Sequence, residues 1–271
     1  MTSKRNKQHV PLLAVIALVA LAGPPARAAQ ENFWGRKLAD QPTNFIFGYG
    51  SLINSQSRSA TAAAPIPAIP ARVSAAFGYI RTWNDRSASG FTALGLRRPS
   101  PGEPARTVNG VLYPVDGDDM SKFDAREAGY VRVEIPPAQI EAVGWQPLPA
   151  VGRIWAYVPE KPASAGGAGE PGVGLPGPDA EFPLLESYID VVVEGGLEYG
   201  PDFAREILET TDGWNRYWLN DRELARRPWV RDPNAQRVDA IIGEAPAAAA
   251  LMKGRLFPED FAARLLTAPG K

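Results

Sequence analysis

The chain of 271 residues contains 29 basic and 30 acidic residues, no cysteine and a single histidine, His9. This composition excludes disulfides and cysteine nucleophiles. Outside the first ten residues it also excludes imidazole bases and zinc sites of the Cys or His type. Acid–base chemistry in the rest of the chain would have to come from Asp, Glu, Lys or Tyr side chains.

The first 28 residues have the features of a secretory signal peptide. Basic residues at positions 4, 5 and 7 precede an apolar run at 11–21, and Ala26-Arg27-Ala28 is a small-x-small cleavage pattern. The apolar run is about half of the roughly 20 residues that span a bilayer. We therefore predict cleavage near Ala28, a periplasmic or secreted protein, and no stable membrane insertion after cleavage. An uncleaved signal anchor is the alternative.

Removal of residues 1–28 would leave 25 basic and 30 acidic residues, a formal net charge of −5. Neutralisation of phosphates by Lys and Arg supplies most of the affinity of proteins for nucleic acids. A mildly acidic chain without basic runs is therefore not expected to bind nucleic acid. The sequence does not specify an oligomeric state.

Six short segments in the first half of the chain are rich in β-branched and aromatic residues and are bounded by Gly or Pro. They predict strands at 45–49, 71–83, 91–97, 108–115, 130–135 and 153–158. Because little helical pattern separates them, we expect one curled sheet, an open or closed mixed β-barrel, rather than repeated βαβ units. The predicted fold class is α+β.

One helix is predicted within this region, at 118–128, with an aspartate as its N-cap and Gly129 as its left-handed C′ residue. Met120, Phe123 and Glu127 lie on one stripe of that helix. A carboxylate on an apolar stripe loses hydration, so the pKa of Glu127 is expected to be raised. The alternatives are an ion pair of Glu127 with Arg126 or Arg132, or a position at the solvated edge of the stripe.

The pattern changes after residue 158. Residues 159–181 are mostly Gly, Pro, Ala and charged residues and predict a flexible loop. Helical spacing of apolar residues follows at 184–193 with Gly195-Gly196 as a stop, and a second helix is predicted at 201–209. From Val238 on, the chain is Ala-rich and predicted to be helical. We expect residues 182–271 to form a helical extension that packs on the barrel.

The sequence FGYGSL at 47–52, followed by FDAREAGYVRVEI at 123–135, resembles the γ-glutamylcyclotransferase-like family. Members have a YGSL-type loop after the first strand and a glutamate in a segment like that at 123–132. The resemblance covers roughly residues 44–158 and implies a γ-glutamylcyclotransferase-like barrel. One departure is that Glu127 is followed by Ala128-Gly129 rather than directly by glycine.

The resemblance implies an enzyme that converts a small γ-glutamyl peptide or γ-glutamylamine, glutathione included, to 5-oxoproline and a free amine, without cofactor or metal. Glu127 corresponds to the catalytic glutamate. Main-chain amides of the turn after the first strand would bind the substrate carboxylate or the developing oxyanion, since glycine permits close approach. The substrate-binding residues expected from the resemblance and the pattern are Tyr49, Gly50, Ser51, Leu52, Tyr130 and Arg81.

Three alternatives remain open from the sequence. The first is a non-catalytic module that binds a small anionic ligand in the same pocket. The second is a hydrolase that uses Asp124 together with Glu127, three residues apart on one helix. The third concerns the extension, where Asp190, Glu194, Trp214 and Asp221 either cover the mouth of the site or take part in ordinary packing.

Overall fold

The computed structural model describes residues 32–115, 117–160 and 169–267, with side chains up to residue 263. The predicted signal peptide and residues 161–168 of the predicted loop lie outside the described residues. Within the described ranges, no helix is both long and apolar enough to cross a membrane.

The described residues form ten strands, of which six build one sheet. In chain order they are β1 (Asn44–Gly48), β2 (Ile69–Val73), β3 (Ile80–Ser87), β4 (Phe91–Arg97), β5 (Val108–Val115), β6 (Tyr130–Ile135), β7 (Ile140–Ala142), β8 (Arg153–Pro159), β9 (Leu184–Leu185) and β10 (Trp218–Leu219). The large sheet has the order β6-β8-β1-β5-β2-β7. Only β1 and β8 are parallel in it, and the other neighbours are antiparallel.

The α+β class is confirmed, but the described strands do not close into a barrel. Strands β3 and β4 pair with each other as a separate antiparallel hairpin. The reason lies in the segment 71–83, which was predicted as one strand. A 3₁₀ turn at Ala75–Phe77 and Gly78 in the left-handed region, with φ of +77°, end β2 and redirect the chain before β3 begins.

Seven helices occur in the described residues: α1 (Ser55–Ala62), α2 (Gly117–Arg126), α3 (Glu186–Leu197), α4 (Pro201–Glu209), α5 (Ala235–Glu244), α6 (Pro246–Met252) and α7 (Pro258–Thr267). Helix α1 was not predicted, and it begins where Asn54 Oδ1 accepts a hydrogen bond from the Ser57 amide at 3.0 Å. Helix α2 ends two residues earlier than expected, and Gly129 has a positive φ of 103°.

Alternating side chains of β1 supply two hydrophobic layers, one on each face of the sheet. Phe45 and Phe47 belong to one layer with Tyr79, which precedes β3, and Leu96 of β4. Ile46, between them, belongs to the second layer, which the helices of the extension cover. The helices of the extension therefore share a hydrophobic core with the sheet, as expected for an extension that packs on it.

The two glycines predicted to stop a helix lie inside α3 and serve its packing. A Cβ at Gly195 would lie 2.4 Å from the main-chain nitrogen of Asn54, and one at Gly196 would lie 2.9 Å from Cα of Ala204 in α4. Small residues let α3 approach both segments closely. The helix ends at Leu197, one residue after the predicted stop, and close packing accommodates the two glycines in its last turn despite their low helix propensity.

A buried ion cluster fixes α3 to the rest of the extension. The guanidinium of Arg222 contacts Glu186 at 3.2 Å, Asp190 at 2.5 Å and Asp239 at 2.8 Å, and Arg255 contacts Glu186 at 3.0 Å. Burial raises the pKa of Glu186 to about 7. The polar residue Asp190 thus takes part in packing, which is one of the two roles considered for it.

Candidate functional site

A cavity of about 930 Å³ lies between the end of β1, the end of α2, the β3–β4 hairpin and α3. A volume of this size is typical of small-molecule sites. Six of the seven residues expected at the site line this cavity, and Arg81 does not. The six are Tyr49, Gly50, Ser51, Leu52, Glu127 and Tyr130.

The turn after β1 is held from behind by two buried arginines. Arg58 Nη1 donates to the carbonyl oxygens of Leu52 at 2.9 Å and Ile53 at 2.8 Å, and Arg81 Nη1 donates to that of Tyr49 at 3.3 Å. Because the peptide unit is planar and trans, a carbonyl that points at Arg81 directs the following amide, that of Gly50, the opposite way. Arg81 thereby orients the Gly50 amide, whereas the amides that follow the two carbonyls bound by Arg58, those of Ile53 and Asn54, donate within the turn to Gly50 O and Ser51 O.

The expected contact of Arg81 with substrate is corrected by this geometry. Its side chain is 0% exposed and its remaining N–H groups donate to protein acceptors on β5 and on the segment that ends α4. Those acceptors are Thr211 Oγ1, Asn109 O, Asn109 Oδ1, Ile207 O and Thr210 Oγ1. Its polar character at a strand end suggested a substrate contact, but tertiary packing makes it a support for the turn.

Glu127 follows the last residue of α2, and its side chain is 15% exposed. Its amide still donates to the Phe123 carbonyl at 2.9 Å, so the main chain continues the helix by one residue. Burial raises the pKa of Glu127, and the negative charge of Asp85 raises it further, while the ion pair with Arg126 lowers it. The result is a carboxyl group with a pKa above its ordinary value, as proton transfer near neutral pH requires.

Arg126 connects Glu127 to the turn. Its Nε lies 3.1 Å from Oε1 of Glu127, and its Nη2 donates to Ser51 Oγ at 3.0 Å. The remaining donors bind α1, through Ser57 and Thr61. The ion pair with Arg126 was one alternative for Glu127, and it coexists with the position of Glu127 in the cavity wall.

Tyr130 and Asp85 form the wall next to Glu127. The Tyr130 hydroxyl donates to the Leu94 carbonyl at 3.1 Å and also interacts with the Asp85 carboxylate. Burial raises the pKa of Asp85, and the interaction with Tyr130 lowers it in part. Asp85 is not among the residues predicted from the sequence. Its only signal was a short run of polar residues at the end of a predicted strand.

Tyr188 reaches the cavity from α3. Its hydroxyl oxygen accepts a hydrogen bond from the Leu94 amide at 3.3 Å and interacts with Ser51, and a Cβ on Gly50 would lie 3.2 Å from it. Burial raises the pKa of Tyr188 to about 12. The sequence placed Tyr188 only on the apolar stripe of a helix, and nothing in that pattern pointed to the turn at 49–52.

Asp124 lies on another side of α2 and does not line this cavity. Its Oδ1 accepts a hydrogen bond from the Tyr157 hydroxyl at 2.9 Å and lies 3.2 Å from Arg132 Nε. A hydrolase that pairs Asp124 with Glu127 would need both carboxylates at one substrate. The geometry therefore removes this alternative.

The far wall of the cavity comes from the tip of the hairpin and from the described part of the predicted loop, residues 169–181. It presents Phe91, Leu175 and Pro176, so this end is largely apolar. The loop is held there by main-chain hydrogen bonds, from Gly172 to Pro159 and from Arg98 to Gly172. In the described part of the chain, no three acidic side chains cluster closely enough to hold a metal ion.

No protein-family model matches the sequence, and no curated protein matches it either. Solved structures do. One is described as a gamma-glutamyl cyclotransferase, with 13% identity and a TM-score of 0.38 over 63% of this chain and 90% of that chain. A second is a γ-glutamyl cyclotransferase from yeast described as specific to glutathione, with 14% identity and a TM-score of 0.29 over 78% of this chain and 96% of that one.

A third match is the solution structure of a protein from Arabidopsis thaliana, with 18% identity and a TM-score of 0.31. The match covers 45% of this chain and 66% of that chain, just under two thirds of its length. The function of this chain is inferred from its own motifs and its own cavity.

Proposed function

We propose that this protein is a γ-glutamyl cyclotransferase that converts a γ-glutamyl peptide or γ-glutamylamine to 5-oxoproline and the free amine. The observation that carries the proposal is the position of the shielded carboxyl group of Glu127 in one cavity wall, together with the amide-bearing turn 49–52 in another. The motifs at 47–52 and 123–135 support the same reaction.

In the proposed reaction Glu127 acts first as a base. Its carboxylate takes one proton from the α-ammonium of the γ-glutamyl group, and the freed amine attacks the γ-carbonyl carbon of the same residue. A C–N bond forms, and the carbonyl electron pair moves to oxygen. Glu127 then returns the proton to the leaving nitrogen as the original amide C–N bond breaks. The new ring nitrogen gives up its second proton, by way of Glu127, to the released amine, which leaves as an ammonium. The products are 5-oxoproline and the amine.

The cavity supplies what this sequence of steps needs. A carboxyl group with a raised pKa is a stronger base than an ordinary glutamate and also, once protonated, an acid at neutral pH. Amides of the turn are suited to the developing oxyanion, and the glycine at position 50 permits close approach. Orientation of an intramolecular nucleophile can reach effective molarities of about 10⁵–10⁸ M, so holding the substrate in place removes much of the barrier.

We also propose that the reaction takes place in the periplasm or outside the cell, because the first 28 residues have the pattern of an export signal. Fractionation of cells that produce the full chain, with detection of the protein in each fraction, tests this. Recovery of the full-length, uncleaved chain in the cytoplasm would contradict it.

The test of the function is incubation of the purified protein with γ-glutamyl dipeptides, glutathione and γ-glutamylamines, with 5-oxoproline measured by mass spectrometry. We expect release from at least one substrate and a loss of about 10²–10⁴-fold in Glu127→Gln. Asp124→Asn is the matched control on the same helix and should keep activity within a few-fold. Substrate binding without any release would favour the non-catalytic module.

A further inference from the structure

Four consecutive residues of β3, Asn84 to Ser87, line the cavity, although neighbours in a regular strand point to opposite faces. The pairing of β3 with β4 shifts register between Trp83 and Asp85, so a β-bulge lies at Asn84. Such bulges re-aim side chains and are common next to functional sites. The bulge lies directly before Asp85, whose carboxylate is in the cavity wall beside Tyr130.

Asp85 has no cationic partner among the described residues. The two arginines that line the cavity are engaged elsewhere. Arg126 pairs with Glu127, and Arg86 pairs with Asp179 and stacks on the Phe182 ring at 4.7 Å. The Asp85 carboxylate interacts with the Tyr130 hydroxyl, a neutral group that donates its one proton to the Leu94 carbonyl at 3.1 Å. A half-buried carboxylate without a counter-ion is costly unless a ligand supplies the charge.

A γ-glutamyl substrate carries one cation, its α-ammonium, and the proposed reaction needs that group next to Glu127. The charge of Asp85 acts on Glu127, on Tyr49 and on Tyr130, so it lies within electrostatic reach of both the base and the turn. An ammonium between the two carboxylates would relieve their mutual repulsion and complete the hydrogen bonding of Asp85.

We infer that Asp85 is the residue that binds the α-ammonium of the substrate and places its nitrogen beside Glu127. Asp85 keeps its charge throughout, and the proton moves only between the substrate nitrogens and Glu127. The inference rests on the proposed cyclotransferase function. Binding of the ammonium group by Asp85 can nevertheless be measured without turnover, as a difference in affinity between ligands with and without the amine.

The test compares two ligands in the Glu127→Gln background, where turnover is blocked. The first is γ-glutamyl-p-nitroanilide, and the second is glutaryl-p-nitroanilide, which lacks only the amine. Calorimetric titration should show tighter binding of the amine-bearing ligand by about 10- to 100-fold, as expected of a charge-assisted hydrogen bond. Adding Asp85→Asn should reduce this preference to near unity.

Glu160, a second carboxylate in the cavity wall, provides the matched control, and Glu160→Gln should leave the preference unchanged. If Asp85→Asn does not fold, Asp85→Ser replaces it in the same comparison. A preference that survives the loss of Asp85, or no measurable binding of γ-glutamyl-p-nitroanilide, overturns the inference. Absence of 5-oxoproline release by the wild type with the ligand preference intact would instead overturn only the cyclotransferase proposal.

Discussion

Arg126 and Glu127 are consecutive in the chain and form an ion pair, with Nε of Arg126 3.1 Å from Oε1 of Glu127. The positive charge of Arg126 lowers the pKa of Glu127, while burial raises it more. Two opposing effects thus set the pH at which Glu127 is ionised and able to act as a base.

Replacing Arg126 by Gln removes the charge that lowers the pKa of Glu127. The acid limb of kcat/KM against pH, which follows ionisation of Glu127 in the free protein, should therefore move to higher pH. Arg132→Gln is the control, because Arg132 pairs with Asp124 outside the cavity. An acid limb that stays in place in Arg126→Gln would show that Glu127 is not the ionising group.

Glu127→Gln should stabilise the fold at neutral and alkaline pH. The pKa of Glu127 is raised in the folded state above its ordinary value of 4.5, so the folded protein binds more protons than the unfolded chain just above that pH. Stability from this group is therefore lost as pH rises through the folded-state pKa. The difference in unfolding free energy between variant and wild type, from urea denaturation, should grow with pH and then level off. A difference that shrinks with pH would contradict the assignment.

Gly50→Ala should lower kcat/KM about 10-fold, since small displacements in a positioned site are costly. The added Cβ would lie 3.2 Å from the Tyr188 hydroxyl oxygen and displace the turn by a few tenths of an ångström. Removing that oxygen in the double variant Gly50→Ala with Tyr188→Phe should restore part of the loss. If the two substitutions combine additively, the contact of Gly50 with Tyr188 does not position the turn.

Gly195→Ala should destabilise the protein by about 1–3 kcal/mol, because its Cβ would overlap main-chain atoms of Asn54 and force α3 away from the turn. Gly243→Ala in α5 is the matched control. A Cβ there meets nothing within 4 Å, so helix propensity alone should stabilise it by about 0.5–1 kcal/mol. Thermal or urea unfolding of both variants measures this. Equal effects of the two substitutions would argue against the close packing of α3.

Local patterns predicted most of the strands of the first half and the helix that carries Glu127, because period-two and helical spacing arise within a few residues. The same reasoning failed where distant segments decide the outcome. Gly195 and Gly196 predict a helix stop, and α3 does end at Leu197, but their role in admitting Asn54 and Ala204 depends on segments distant in the chain. Arg81 is a charged residue near a strand end, which suggested a contact with substrate. In the fold it is fully buried between α4 and β5.

The sequence by itself limited the chemistry open to this protein, since the residues after His9 contain neither Cys nor His and leave Asp, Glu, Lys and Tyr for acid–base catalysis. It also marked the turn at 47–52 and Glu127 through their motifs. Only the tertiary structure decided that Asp85 and Tyr188 join them. The bulge in β3 and the close approach of α3 depend on contacts between segments far apart in the chain, and no local pattern encodes such contacts.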